Sequence, residues 1–355
     1  MTSGLEGVVV AETVLTHVDG SQGIWWLRGH RLTEIVARHG YEGATALLWE
    51  GFAGDHLTRE RIGAEFGAGR QAAFARLPSW LGAARERPLA EGVRLCIAAI
   101  PDDAAPAAIA ASLPVGIAAL LRARQAKPPV PPDADLATAA DFLRMLTGAS
   151  VAPAVAAALD AYLTTVIDNG LAASTFAARV IASTRASLAG AVLGGYCALT
   201  GPLHGGAPGP VLDMLDEIGD AAGIEPWLER ALSGGERLMG FGHRVWRGRD
   251  PRADALKSAL QRLGPDAGRI AFAEEVERRA LAALRRKKPD RPIETNVEFY
   301  TALLLDAVGL PREAFTPVFA LARSAGWLAH ALEQRKTGRL IRPAASYVGP
   351  RPEAA

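Results

Sequence analysis

After Leu27 the apolar residues of this chain recur at helical spacing, and that regularity confines it to an all-α fold. The stripe Leu136, Ala139, Ala140, Leu143 and Leu146 shows the pattern, with Asp133 or Asp135 as a cap before it and Gly148 as a stop after it. Further helices are expected from Asp250 and Pro251 to about Leu263, from near Ala273 to the basic run Arg285 to Lys288, and from Asn296 towards Val308 and Gly309. The last helix should take Thr316 as its cap and Pro317 as its first residue. The exception lies at the start: Val8 to Val18 and Ile24 to Leu27, β-branched and aromatic around Asp19-Gly20, predict one short hairpin. The proline-rich stretch Lys127 to Pro132 reads as a stiff extended connector between helices.

A chain of 355 residues exceeds what one compact core usually organises, so two domains are expected. A formal charge of +1 gives no footprint for nucleic acid or an anionic membrane, which turns attention to small molecules and protein contacts. The uncharged run Ala186 to Leu203 imitates a membrane span, but Gly190, Gly194, Gly195, Gly201 and Pro202 interrupt it. It reads as a buried central helix, its Gly190 and Gly194 spacing open to close approach by another helix, a second subunit's included. Cys96 and Cys197 sit among apolar neighbours without metal-ligand spacing, and both are read as buried thiols of a reducing compartment. No basic stretch followed by an apolar run opens the chain, so a cytoplasmic, soluble protein is the expectation.

Four places could carry chemistry. The loop Gly201-Pro202-Leu203-His204-Gly205-Gly206 frees the backbone around a histidine, a turn that suits a ligand as well as a structural role. In Gly240-Phe241-Gly242-His243-Arg244-Val245-Trp246-Arg247 and the following Asp250-Pro251-Arg252, Arg252 falls in a helix first turn, where the dipole disfavours a cation. It makes best sense there beside an anion that also draws on the helix N-terminus, with a surface position as the rival reading. Glu298, two residues after the cap Asn296, gains from the same dipole and is expected to stay ionised, either as a base or simply as a favourable helix-start glutamate. Arg323 shares a face with Trp327 and His330 off the apolar stripe of the last helix and therefore needs a buried partner; Arg342 follows on a fixed turn before Pro343.

In order and separation these four motifs, with Gly4 to Val8, Asn169 to Thr184 and Tyr347 to Gly349, resemble the citrate synthase family over nearly the whole chain. The resemblance implies an all-α homodimer with a short N-terminal β-hairpin. Its large domain would be residues 1–203 plus 304–355, its small domain residues 204–303, with the active site in the cleft between them. It implies that His204 stabilises the enol or enolate of an acyl-CoA thioester, that His243 polarises the ketone of oxaloacetate, and that Glu298 is the base. Arg252, Arg323 and Asn169 would hold the oxo-acid, joined by Arg342 from the partner subunit, while Met239, Gly240, Phe241, Gly242 and Arg247 would contact CoA. No metal or other cofactor is implied, acyl-CoA being a substrate. These residue types suit the chemistry, since a carboxylate must take a proton from a poorly acidic methyl group while a donor meets the charge arriving on oxygen.

The chain departs from the family pattern twice. Glu298 stands where the family usually has aspartate, and Asn169 and Gly170 stand where it commonly has a histidine and an acidic residue. Asn169 still donates a hydrogen bond but cannot carry charge. The expected activity is citrate synthesis from acetyl-CoA and oxaloacetate. The alternatives are 2-methylcitrate synthesis from propionyl-CoA, or a ligand-binding or structural paralogue with little turnover.

Overall fold

The computed structural model describes residues 3–5, 7–204, 208–243, 246, 248–264, 269–290 and 293–350. Among them a small sheet precedes sixteen α-helices. Strand β1 (Thr16–Asp19) pairs antiparallel with β2 (Ile24–Leu27), Thr16 opposite Leu27 and Asp19 opposite Ile24. Asp19 fastens the intervening turn, its Oδ1 accepting from the Ser21 and Gln22 N–H groups and the Ser21 hydroxyl. Strand β3 (His30–Arg31) adds to β2 through Arg28 and Gly29, both at positive φ (51° and 86°), as a tight two-residue hairpin requires.

The expected hairpin is thus a three-stranded sheet, and its first strand is shorter than expected. Val8 to Leu15 lie outside the sheet, with Val9 87% exposed, because no neighbouring strand offers them a ladder. This segment is tied instead to the far end of the chain, where Glu333 Oε1 accepts from the Thr13 hydroxyl and the Val14 N–H.

The first half of the helical array comprises α1 (Leu32–Arg38), α2 (Gly40–Trp49), α3 (Arg59–Ala75), α4 (Leu77–Ala84), α5 (Leu89–Ala98), α6 (Pro106–Arg124), α7 (Thr138–Thr147) and α8 (Pro153–Thr165). The second comprises α9 (Ala173–Ser183), α10 (Leu188–Leu199), α11 (Pro208–Ile218), α12 (Ile224–Ser233), α13 (Pro251–Gln261), α14 (Ile270–Lys287), α15 (Val297–Ala307) and α16 (Phe315–Thr337). Helix α16 is buried nearly all round and packs against α2, α5, α6, α8, α9 and α10, so it forms the axis of the core. Helix α6 is the one helix among the described residues long and apolar enough to cross a membrane, and 83% of that window is buried inside the protein. The uncharged run noted in the sequence is the shorter α10, wedged between α9, α16 and α5. Its glycines seat helices of the same chain: a Cβ on Gly194 would meet Ile181 of α9 at 2.1 Å, and one on Gly195 would meet Trp327 of α16 at 2.8 Å.

Other expectations shift for physical reasons. Helix α7 begins at Thr138, not beside Asp133 or Asp135, because buried Glu42 of α2 accepts the Thr138 N–H at 2.7 Å and does the capping from across the core. Its buried face is Thr138, Ala139, Asp141, Phe142, Leu143 and Met145, which leaves Leu136, Ala140 and Leu146 half-buried; Gly148 closes it at φ 86°. Thr316 is not the cap of α16, since the 3₁₀ turn Arg312–Ala314 runs directly into a helix starting at Phe315. Pro317 then lies in the first turn, where its missing donor is not needed. Of the two cysteines only Cys96 is buried, its thiol pushed up to about 12 by desolvation, whereas Cys197 is exposed on α10.

Candidate active site

Two loops are sewn into one piece. Phe241 forms an antiparallel bridge with Thr295, the Gly242 N–H donates to the Glu294 carbonyl at 2.8 Å, and the Asn296 N–H donates to the Gly240 carbonyl at 2.9 Å. The Asn296 side chain closes the stitch with Nδ2 on the Gly242 carbonyl, while its Oδ1 caps α15 by accepting the Glu298 N–H. Gly240 takes φ +83°, and a Cβ there would strike Phe299 at 2.8 Å, so only glycine lets the loop lie on α15. His243 and Glu298 are thereby carried by the same rigid unit.

Glu298 is half-buried, and its Oε2 is enclosed without a hydrogen-bond partner among the described residues. Burial holds its carboxyl above the usual range, against the opposing pull of Arg252. The helix-start N–H pulls the same way as Arg252, and desolvation is the largest of the opposing effects.

Helix α13 opens as its sequence predicts, with Asp250 accepting the Arg252 N–H and Pro251 at the first position. Asp250 also grips the Arg252 side chain, Oδ1 on Nε at 3.0 Å and Oδ2 on Nη2 at 2.9 Å, both residues almost fully buried. Part of the anion expected beside Arg252 is thus supplied by the chain itself. The guanidinium lies 5.4 Å from the Trp246 ring centroid, and Nη2 reaches to 3.5 Å from His243 Nε2. The Trp246 N–H donates to His243 Nδ1 at 3.2 Å. Desolvation, aided by Arg252, lowers the His243 pKa to about 4, so the ring is neutral at pH 7. A neutral imidazole and a guanidinium thus stand side by side.

Arg323 lies deep in α16, 1% exposed, with its Nε on the Val166 carbonyl at 2.8 Å and the Phe319 ring 4.8 Å away. Desolvation lowers its pKa to about 10, which leaves it charged at neutral pH. No carboxylate pairs with it within ion-pair distance among the described residues. The carboxylate whose charge acts on it is Asp168, itself fully buried, with no hydrogen-bond partner for Oδ1 among the described residues. Burial alone would raise the Asp168 carboxyl, but His330, Arg323 and the Thr16 hydroxyl outweigh it and hold it low. His330 accepts from Arg179 at Nδ1 (2.9 Å) and so presents Nε2–H to Asp168 (3.3 Å), while Arg179 also pairs with Glu333. Asn169, next in the loop, keeps a buried Oδ1 without a partner among the described residues.

His204 completes the group. Its Nε2 accepts the Ser174 N–H at 3.3 Å and lies 2.8 Å from Ser174 Oγ, which in turn accepts from Trp327 Nε1 at 3.2 Å. With the hydroxyl's lone pair met by Trp327, its proton points at Nε2, and the imidazole proton is left on Nδ1. Burial, with Arg323 nearby, holds the His204 pKa below its ordinary value.

The fields of these groups interlock: His204 feels Arg323, Arg323 feels Arg252, and Arg252 acts on both His243 and Glu298. His204, His243, Glu298, Arg252 and Arg323 therefore form one electrostatic cluster at the starts of α13 and α15, the middle of α16 and the end of α10. Two helix N-termini add their positive ends, so the region suits an anion. Met239 is half-buried and Phe241 packs on Phe299 at 5.4 Å, beside Gly240 and Gly242 in the stitched loop. Arg342 is exposed beyond α16, its neighbour Ile341 tied to Ser183, and this chain alone does not bring it to the cluster. Arg247 and the Gly205 and Gly206 of the His204 loop lie outside the described residues. Sequence reasoning missed the parts played by Ser174, Asp168 and the Asp250 side chain.

A family model described as "Citrate synthase, C-terminal domain" matches residues 4–344. Citrate synthase from Haloferax volcanii is 35% identical over 366 residues, 98% of this chain and 95% of that protein. The Mycobacterium tuberculosis protein named "Putative citrate synthase 2" is 51% identical over 197 residues, 56% of this chain, and the match spans about half (52%) of that relative's length. The solved ternary complex of carboxymethyl coenzyme A and oxaloacetate with citrate synthase from Thermoplasma acidophilum superposes with a TM-score of 0.86 at 27% identity, covering 100% of this chain and 98% of that one. With its all-helical array and clustered imidazoles, carboxylate and guanidiniums, the chain belongs to the citrate synthase family.

Proposed function

We propose that the protein condenses the α-carbon of a short acyl-CoA with the ketone of oxaloacetate, releasing CoA and a tricarboxylic acid. The observation that carries this reading is one electrostatic cluster of two imidazoles held below their ordinary pKa, a desolvated carboxylate and a buried Arg323 with no ion-pair partner among the described residues. The Thermoplasma relative, of the same fold, holds a CoA analogue together with oxaloacetate.

Glu298 removes a proton from the carbon next to the thioester, its raised pKa making it a stronger base than an exposed glutamate. His204 Nδ1–H donates to the thioester oxygen as charge develops there. His243, with Arg252 beside it, polarises the ketone, and Arg323 takes a substrate carboxylate through its Nη donors. The enol carbon forms the new C–C bond while the ketone oxygen gains a proton. Water then cleaves the thioester, giving the free acid and CoA. Closure of a 204–303 domain on the remainder excludes bulk water from that sequence, and a second subunit lends Arg342. A cytoplasmic location belongs to the same proposal.

The discriminating experiment is thiol release with oxaloacetate and either acetyl-CoA or propionyl-CoA. The preferred donor identifies the enzyme as a citrate or a 2-methylcitrate synthase, a choice worth only about 1–3 kcal/mol of pocket contact. Glu298→Gln is expected to lower kcat by about a hundredfold or more. Absence of CoA release from wild type with both donors sinks the proposal in favour of a ligand-binding paralogue.

A further inference from the structure

We propose that His30, Glu34 and His39 form a binding site for a divalent transition-metal ion, with Zn²⁺ as the expected occupant. None of the three takes part in the condensation chemistry above. Their ligating atoms all lie within 4.8 Å of one another, and His30 Nδ1 is 3.3 Å from Glu34 Oε1. Tetrahedral zinc with bonds of about 2.0–2.2 Å sets its ligand atoms roughly 3.3 Å apart, so one pair already stands at the required spacing and the third closes by a small side-chain rotation. Two imidazoles and one carboxylate are a borderline donor set that favours zinc-like ions over magnesium or calcium, and water completes the coordination.

The site is built on rigid elements. His30 stands in β3 opposite Leu27, Glu34 lies in the first turn of α1, and His39 occupies the corner between α1 and α2 with its N–H on the Ile35 carbonyl. A Cβ on Gly43 would come within 3.0 Å of the His39 Cβ, so the glycine makes the seat in which the His39 side chain is held. The two rings approach at 5.6 Å between centroids, at an angle where they do not stack, and all three residues are half-buried. The competing Arg38 to Glu34 pair is long, 3.9 Å, and its arginine is 75% exposed, so a doubly charged ion displaces it readily. An ion here would clip the sheet to the α1–α2 corner. Since α1 packs against α13, it would also steady the helix that carries Arg252.

The test uses tag-free, full-length protein stripped by a chelator and titrated with ZnCl₂ by calorimetry, with Co²⁺ as an optical probe of coordination. The expected result is one ion per chain, a tetrahedral cobalt spectrum and a raised melting temperature. The His30→Gln/His39→Gln double variant should keep the metal-free melting temperature and lose affinity by about tenfold or more. Glu34→Gln, which removes no ring, should weaken binding while leaving the fold intact and serves if the double variant does not fold. Absence of stoichiometric binding at micromolar zinc overturns the site. So does binding that survives these substitutions, or that vanishes in Cys197→Ser, which would assign the ion to the exposed thiol.

Discussion

At the scale of single residues, Ser174 sets the character of His204. Its N–H and hydroxyl both address Nε2, so the ring can offer a proton only from Nδ1. Ser174→Ala removes one of those two contacts and lets the ring tilt. Because a displacement of about 1 Å can cost roughly a hundredfold in rate, kcat is expected to fall by about tenfold or more, and the buried Trp327 Nε1–H left without its acceptor should lower stability by about 1–3 kcal/mol. A pH effect follows from the two histidines. Both have folded pKa values below the ordinary 6.5 of histidine, His243 at about 4, so the unfolded chain binds more protons between those limits. Their contribution to stability is complete above pH 6.5 and is lost as the pH falls towards 4. Urea midpoints measured across that window should drop with acid, and a flat profile would contradict neutral, desolvated rings. At this scale the sequence was informative about identity and poor about environment. His204, His243, Glu298, Arg252 and Arg323 are all legible as chemistry-bearing residues, but that burial raises Glu298, or that Asp250 forks onto Arg252, depends on neighbours distant along the chain.

At the scale of elements, close approaches hold the site in place. Gly326 of α16 lies so near the loop after α8 that an added Cβ would sit 2.4 Å from the Ile167 carbonyl oxygen and 2.9 Å from Asp168 Oδ1. Both contacts involve groups that cannot retreat easily. Gly326→Ala should therefore cost about 1–3 kcal/mol in chemical denaturation, and should raise the KM for the oxo-acid because the Asp168–Asn169 loop and Arg323 are pushed apart. A KM and stability equal to wild type would show that the loop yields freely. Helices α13 and α15 were legible from cap chemistry alone, as Asp250-Pro251 and Asn296 are local signals. Helix α7 was misplaced at its start because its cap, Glu42, comes from another helix. Thr316 misled for a related reason, a preceding 3₁₀ turn having already started the helix.

At the scale of the whole molecule, the order of motifs along the chain conveyed the family and the all-helical architecture, while the third strand and the exposed Cys197 did not follow from any single stretch. Beyond the Ile341 bond to Ser183, the carboxyl-terminal tail exposes Arg342 together with the apolar residues Leu340, Tyr347 and Val348. In a homodimer of the proposed kind Arg342 would serve the other subunit's site. Sedimentation should then show a dimer at assay concentrations, and Arg342→Ala should raise the KM for the oxo-acid by about tenfold or more, the loss of a charge-assisted contact of about 1.5–3 kcal/mol. A monomer with full activity would refute the arrangement.

The stitch between residues 240–242 and 294–296 limits how this machinery can move. The proposed base and ketone-polarising group sit on this one unit, whereas Arg323 and Ser174 are carried by α16 and α9. In the proposed closure the spacing within the first pair would stay unchanged and only its distance from α9 and α16 would alter. Alignment in that proposal reduces to a single mechanical coordinate, which one well-placed crosslink should lock.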